Sequence, residues 1–205
     1  MEVYLVRHAA QHVAEEDRFR DTGLTAAGED QARSLAKLLR EADFGVCLSS
    51  PMRRAVETAR LLLEDREIPL RLDESLAEGH PGDLAGLSES EARSRYPDDF
   101  RLGRTVVARV AAMGRTAPGG ETREAFLERA RGAARTVTAE FERGGSRLLV
   151  VAHGGLLNYL LQVLLRQPLR DEVPFGFEHC GVARLLYYRE RPEFGPFPML
   201  RFGPR

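Results

Sequence analysis

Two histidines, three arginines and one glutamate stand out by type and setting. His8 follows Arg7 at the end of the apolar run Val3-Tyr4-Leu5-Val6, and His153 ends a second such run in "VVAHGG". Arg53 and Arg54 lie in "SSPMRRAVETA", and Glu78 lies in "SLAEGHPGDLAG". Singly, each has an ordinary structural explanation: a polar residue after a buried strand, a solvated basic turn, a loop carboxylate. Together they supply what phosphoryl transfer through a histidine needs. A neutral imidazole is a nucleophile near neutral pH. Guanidinium forks bind phosphoryl oxygens. A carboxylic acid can protonate a leaving oxygen. Gly154 and Gly155 permit close backbone approach and open a helix whose free amides can face an anion. A cation in the first turn of a helix opposes the helix dipole, so the Arg53-Arg54 pair makes better sense with an anion beside it.

The elements that must position these groups can be read from periodicity. Val3–Val6 is a continuous apolar run, as expected of a strand buried on both faces in a parallel sheet. Ala32, Leu35, Leu39 and Ala42 recur at helical spacing behind Thr25, a good N-cap. Residues 45–48 predict a second strand. Ser50 as N-cap and Pro51 at the first position predict the start of the next helix. Residues 68–72 predict a third strand. Thr122 can cap a helix over 123–142 that "GGS" (144–146) ends. "RLLVVA" is a fourth strand, "LLNYLLQVLLR" a helix and "GVARLLYY" a last strand, with 190–205 as an extended surface segment. Residues 85–120 are richer in charge and breakers and read as short helices of an inserted cap lobe. Strands alternating with helices predict an α/β fold, a three-layer α/β/α arrangement with a mainly parallel central sheet and a small inserted helical lobe. It forms a single domain over 1–205. In such sheets ligands bind beyond the carboxyl ends of the strands. His8, Ser49-Ser50 and His153 all fall at that end.

Composition narrows the class. The chain has 205 residues, 43% of them hydrophobic and 30% charged, as in a globular protein with a sizeable core. A net charge of -1 argues against a nucleic-acid binder held by bulk charge. Lys37 is the only lysine, so an anion site must use Arg, His or backbone amides. Cys47 and Cys180 are too few and too far apart for a disulfide framework or zinc cluster, which points to a reducing cytoplasm. The N-terminus lacks signal-peptide features, and no apolar stretch is long enough to span a membrane.

The chain resembles the histidine phosphatase superfamily, also called the phosphoglycerate mutase-like family. The matching pieces are "VRHA" (6–9), "GLTAAGEDQA" (23–32), "LSSPMRRAVETA" (48–59), "LAEGHPGDLAG" (76–86), "PGGET" (118–122) and "VVAHGG" (150–155). They follow the family's order and together span about three quarters of the chain, from residue 6 to residue 155. The resemblance implies His8 as phosphorylated nucleophile, Arg7 and Arg54 as phosphoryl clamps, and Glu78 as general acid and later base. It implies His153 as stabiliser of the phosphoryl charge, assisted by the Gly154 amide. Arg53 falls on a variable, solvated position. No metal or other cofactor is implied, and the sequence shows no ligand cluster.

The chain departs from the family in the loop after His8. Ala9 stands where Gly is usual, a small change if φ there is negative. Gln11 and Ala14 stand where a Thr or Ser and an Asn often contact phosphate, which leaves Gln11 or Arg18 to take that contact. His80 and Glu121 are further candidates for the substrate mouth. His12 and His179 read as surface residues, His179 reaching the site if its loop folds back; Asp21 and Glu29 read as solvated or capping charges. Mutases of the family carry an Arg after the acid Glu and an Arg-Arg pair in the inserted lobe. Here Gly79 follows Glu78, and 85–120 has no adjacent Arg pair. The expectation is therefore a histidine acid-type phosphatase, a phosphoric monoester hydrolase acting on a small phosphorylated metabolite, without nucleic-acid or membrane partners. The alternatives are a cofactor-dependent phosphoglycerate mutase and a catalytically silent regulatory homologue. Phosphohistidine-protein phosphatases of the family tend to lack the inserted lobe, so 85–120 argues against that activity. A homodimer is left open.

Overall fold

The computed structural model describes residues 2–12, 20–98, 110, 114–143, 147–170, 174–188 and 197–202. The strands are β1 (Glu2–Arg7), β2 (Val46–Ser49), β3 (Leu70–Leu72), β4 (Arg147–Ala152), β5 (Val182–Tyr188) and β6 (Phe197–Phe202). The helices are α1 (Ala26–Leu38), α2 (Arg53–Leu62), α3 (Glu89–Arg95), α4 (Arg123–Glu142) and α5 (Gly154–Leu164). The strands form one sheet in the order β3-β2-β4-β1-β5-β6. The first four are parallel; β5 and β6 are antiparallel to their neighbours. The expected mainly parallel α/β sheet is present.

Side-chain alternation along the central strands divides the core into two layers. Val3, Leu5, Leu48, Leu148 and Val150 face Phe126, Tyr159 and the leucines of α5. Tyr4, Val6, Cys47, Leu149 and Val151 face Leu35, Ala55, Ala59 and Leu62 of α1 and α2. Each buried Leu or Val stabilises the sandwich by about 1.5–3 kcal/mol. In α5, Leu156, Leu157, Tyr159, Leu160 and Leu161 are all fully buried. A helix apolar on every side is a core helix, so its N-terminus is fixed relative to the sheet. Asn158 and Gln162 of α5 tie down the chain beyond it. Asn158 Oδ1 accepts from Phe175 N at 3.3 Å and Gln162 Oε1 accepts from Arg170 N at 2.7 Å.

Three local expectations change. α2 begins at Arg53 with Met52 as its N-cap, later than Ser50 and Pro51 predicted. Ser50 Oγ still accepts from Met52 N at 3.2 Å, but it also meets His153. The tail supplies a sixth strand, Phe197–Phe202, paired along β5. Its Pro and Phe content concealed that; Pro198 lies on an edge strand, where a missing amide is tolerated. Of residues 85–120, α3 is present with a Ser88–Glu91 capping box, and Leu84, Ala92 and Ala117 form a small separate cluster. Residues 99–109 and 111–113 lie outside the described residues, as does the 144–146 helix stop. Thr122 does cap α4: its Oγ1 accepts from Ala125 N at 3.2 Å. Among the described residues no helix is long and apolar enough to cross a membrane.

Candidate active site

Parallel register brings the two histidines together. Arg7 pairs with Ala152, so His8 and His153 are the next residues on adjacent strands. His8 N donates to Ala152 O at 2.9 Å, and Ser50 N donates to Val151 O at 3.0 Å. The rings of His8 and His153 lie 5.1 Å apart, centroid to centroid. Both are buried, at 5% and 1% exposure.

A hydrogen-bond partner fixes the tautomer of His8. His8 Nδ1 lies 2.8 Å from Ala9 O, which can only accept, so Nδ1 carries the proton. Arg54 Nε donates to His8 Nε2 at 3.3 Å, so that nitrogen presents its lone pair. Burial, and then the Arg54 charge, push the His8 pKa down to about 2. The imidazole is therefore neutral and basic at Nε2. Ser50 Oγ accepts from Met52 N at 3.2 Å and shares a hydrogen bond of 2.8 Å with His153 Nε2. His153 Nδ1 is buried without a partner among the described residues, free to meet a bound group. Complete burial, then Arg54, drives the His153 pKa well below its ordinary value.

The two neighbouring arginines separate as expected. The Arg54 side chain is 8% exposed, while that of Arg53 is 66% exposed and paired with Glu57 at 2.7 Å. An anion does lie at this helix start, and it belongs to the protein. The Asp21 carboxylate accepts from Arg53 N at 3.0 and 2.9 Å and from Arg54 NH1 at 3.3 Å. Asp21 therefore caps α2 from a distant loop and orients Arg54. Arg7 donates from NH1 to Phe177 O at 2.6 Å, and its buried Nε has no partner among the described residues. Burial lowers the pKa of both Arg7 and Arg54, and the Glu78 charge opposes that shift in each. Glu78 thus stands within electrostatic reach of both guanidiniums. Its Oε2 accepts from Gly155 N at 2.9 Å and its Oε1 from Gly79 N at 3.1 Å. A Cβ at Gly155 would lie 2.7 Å from Glu78 Oε1, so this close approach requires glycine. Gly154 opens α5 next to Arg7, whose Nε is 3.5 Å from where a Cβ would stand.

The remaining expectations divide. Ala9 is buried and is absent from the residues with positive φ, so alanine fits; its amide donates to Thr58 Oγ1 at 3.0 Å. The Gln11 carboxamide oxygen is buried without a partner among the described residues. Arg18 lies outside the described residues. His80 is exposed, and its Nδ1 accepts from Gly82 N at 3.0 Å. Glu121 is held at the His80 loop. Its carboxylate is taken up by Arg129 at 2.8 and 2.7 Å and by His80 N at 3.3 Å.

His179 comes to the site because its loop folds back. Its Nδ1 donates to His8 O at 3.1 Å, and its ring centroid is 5.2 Å from that of His8. Cys180 N and Arg7 N complete the tie, donating to Arg7 O and Gly181 O at 3.1 Å each. Ser50 and Arg129 also acquire contacts that their sequence settings did not announce. Ser50 was visible as a polar residue at a strand end and as a helix-cap candidate, and Arg129 only as one of several arginines on α4. Among the described residues no group of three or more His, Cys, Asp or Glu is gathered to hold a metal ion. The arrangement can set a neutral imidazole against phosphorus, between fixed cations and a carboxyl group.

Comparison with known proteins agrees with this geometry. The family model of the histidine phosphatase superfamily (branch 1) matches residues 3–195. A 2,3-bisphosphoglycerate-dependent phosphoglycerate mutase of Gloeobacter violaceus is 31% identical over 190 residues, covering 85% of this chain and 84% of the relative. The uncharacterized phosphatase PhoE of Bacillus subtilis is 28% identical over 141 residues, 69% of this chain and 64% of that protein. The solved mycobacterial glucosyl-3-phosphoglycerate phosphatase superposes with a TM-score of 0.73 at 27% identity, covering 98% of this chain and 97% of that one. The chain belongs to the histidine phosphatase superfamily.

Proposed function

We propose that this protein is a phosphomonoester hydrolase that acts on a small phosphorylated metabolite through a phosphohistidine on His8. The observation that carries the reading is the state of His8: Nδ1–H is pinned to Ala9 O, and a neutral Nε2 faces Arg54. In the first step the Nε2 lone pair attacks phosphorus in line. The N–P bond forms, the P–O bond to the alcohol breaks, and the leaving oxygen takes a proton from Glu78. In the second step water attacks phosphorus and gives a proton to the Glu78 carboxylate. The N–P bond breaks, its electron pair returns to Nε2, and inorganic phosphate leaves. Arg7 and Arg54 supply fixed positive donors to the phosphoryl oxygens in both steps, and the neutral His153 ring adds a hydrogen bond to them. Gly154, Gln11 and His80 are the candidates for substrate contact, with the 85–120 segment as a cap.

Hydrolysis is favoured over mutase chemistry by the residue after the acid. Gly79 leaves no guanidinium there to hold the carboxylate of a phosphoglycerate, and 85–120 contains no adjacent Arg pair. The acid-type assignment is supported by the His8 pKa, pushed down to about 2, which keeps the nucleophile unprotonated at mildly acid pH. Free Cys47 and Cys180 fit a cytoplasmic location. The Gloeobacter relative keeps the mutase reading open to test. Purified protein is assayed against a phosphomonoester panel that includes 3-phosphoglycerate with its bisphosphate activator. Release of inorganic phosphate from several esters is expected. Interconversion of phosphoglycerates without phosphate release would establish the mutase, and no turnover of any kind would establish a silent homologue.

A further inference from the structure

Glu78 is held from two sides, and the second hold has no part in the reaction proposed above. Its carboxylate rests on the Gly155 and Gly79 amides. Its main chain is gripped by Arg129 on α4, which uses every donor of its guanidinium. Nε donates to Glu121 Oε1 at 2.8 Å, and NH2 donates to Glu121 Oε2 at 2.7 Å and Glu78 O at 3.4 Å. NH1 donates to Ala77 O at 2.5 Å and Ser75 O at 3.2 Å. Three carbonyls of one loop thus converge on one planar fork. Glu121 closes the loop from the other end by accepting from His80 N at 3.3 Å, and Thr116 Oγ1 donates to His80 O at 3.0 Å. The Phe126 ring lies under the guanidinium, 4.9 Å from centroid to Cζ.

The fork fixes directions as well as charge. Its five N–H bonds lie in one plane at set angles, so Glu121 on one edge determines where the loop carbonyls sit on the others. Burial works against the Glu121 carboxylate, but the Arg129 pairing outweighs it and leaves the pKa below the ordinary range. We propose that Arg129 and Glu121 are positioning residues for the Glu78 carboxyl, setting the point at which the leaving oxygen receives its proton. The inference rests on the phosphatase reading above. Displacing a proton donor by about 1 Å costs on the order of 100-fold where proton transfer is needed, and much less where it is not.

The test separates those two cases. Wild type, Arg129→Lys, Glu121→Gln and Glu78→Gln are assayed on p-nitrophenyl phosphate, whose phenolate leaves without a proton, and on glycerol phosphate, whose alkoxide needs one. The comparison uses kcat/KM, which reports steps through the first leaving-group departure and is blind to later hydrolysis of the phosphoenzyme. Arg129→Lys and Glu121→Gln are each expected to lose at least about tenfold more on the alkyl than on the aryl ester, in the same sense as Glu78→Gln. Equal losses on the two esters, or no loss on either, overturn the inference while the wild type remains a phosphatase. Wild type inactive on both esters removes the phosphatase reading and this inference with it. Glu121→Gln keeps the side-chain shape, so it decides the matter if Arg129→Lys does not fold.

Discussion

His8 and Glu78 reach the same site from two regions built in different ways. The His8 edge is the end of a parallel sheet: register places His8 beside His153, and main-chain bonds to Ala152, Cys180 and Gly181 hold it. The Glu78 loop has no ladder. It lies between short 3-10 turns at Glu74–Leu76 and Gly82–Leu84 and is held by side chains, chiefly Arg129 and Glu121, and by the α5 amides. A backbone ladder tolerates side-chain change, whereas a loop held by one ion pair and one glycine depends on few atoms. The His8 edge should therefore be structurally robust and lose activity only when a side chain of the site is removed. The Glu78 loop should fail when its supports are altered.

The largest effect short of removing His8 is expected at the clamp. Arg54→Ala should lower kcat/KM by about 100- to 1,000-fold, because a preorganised donor to the phosphoryl charge is lost. Arg53→Ala should stay within about threefold, since its side chain is solvated and its pairing with Glu57 is a surface ion pair. Steady-state kinetics of the two variants give the answer, and the reverse order would mean that the buried guanidinium does not meet substrate.

Gly155→Ala probes the loop's other support. The added methyl would stand 2.7 Å from Glu78 Oε1, so the carboxylate must move. A fall in kcat/KM of about 10- to 100-fold on an alkyl ester is expected, with His8 still labelled by an aryl phosphate. Unchanged alkyl turnover would show that the carboxylate position at the α5 amides is not the working one.

The smallest effect is thermodynamic and belongs to the His8 edge. His8, His153 and His179 all have pKa values lowered by burial. The unfolded chain therefore takes up protons near pH 6.5 that the folded chain does not. That contribution to stability is complete above about pH 6.5 and is lost progressively as the pH falls toward the folded values. Urea unfolding between pH 7 and 5 should show stability falling by up to about 1.4 kcal/mol per pH unit for each histidine. His153→Asn should flatten the slope by about one histidine's share; an unchanged slope would contradict its buried, neutral state.

The two regions also differed in how far the sequence disclosed them. Apolar runs ending in polar residues exposed β1 and β4, and the same signal placed His8 and His153 at their ends, because in-sheet positions follow from period and register. Arg54 was separable from Arg53 only through the resemblance, yet its burial follows from the helix face shared with Thr58 and Ala55. Contacts between segments distant in sequence left no such signal. The Asp21 cap of α2 spans 32 residues, and His179 touches His8 across 171. The pairing of Glu121 with Arg129, two helical turns into α4, left no signal either. The β6 strand was concealed because its pattern is interrupted by proline and its pairing with β5 is decided by the whole sheet.

The central claim is that His8 carries the phosphoryl group. Wild-type protein is mixed with a radiolabelled phosphomonoester, quenched in alkali within a turnover and digested, and the labelled peptide is located by mass spectrometry. The account predicts an alkali-stable, acid-labile label on His8, absent from His8→Ala. A label on any other residue, or full turnover by His8→Ala, would contradict it.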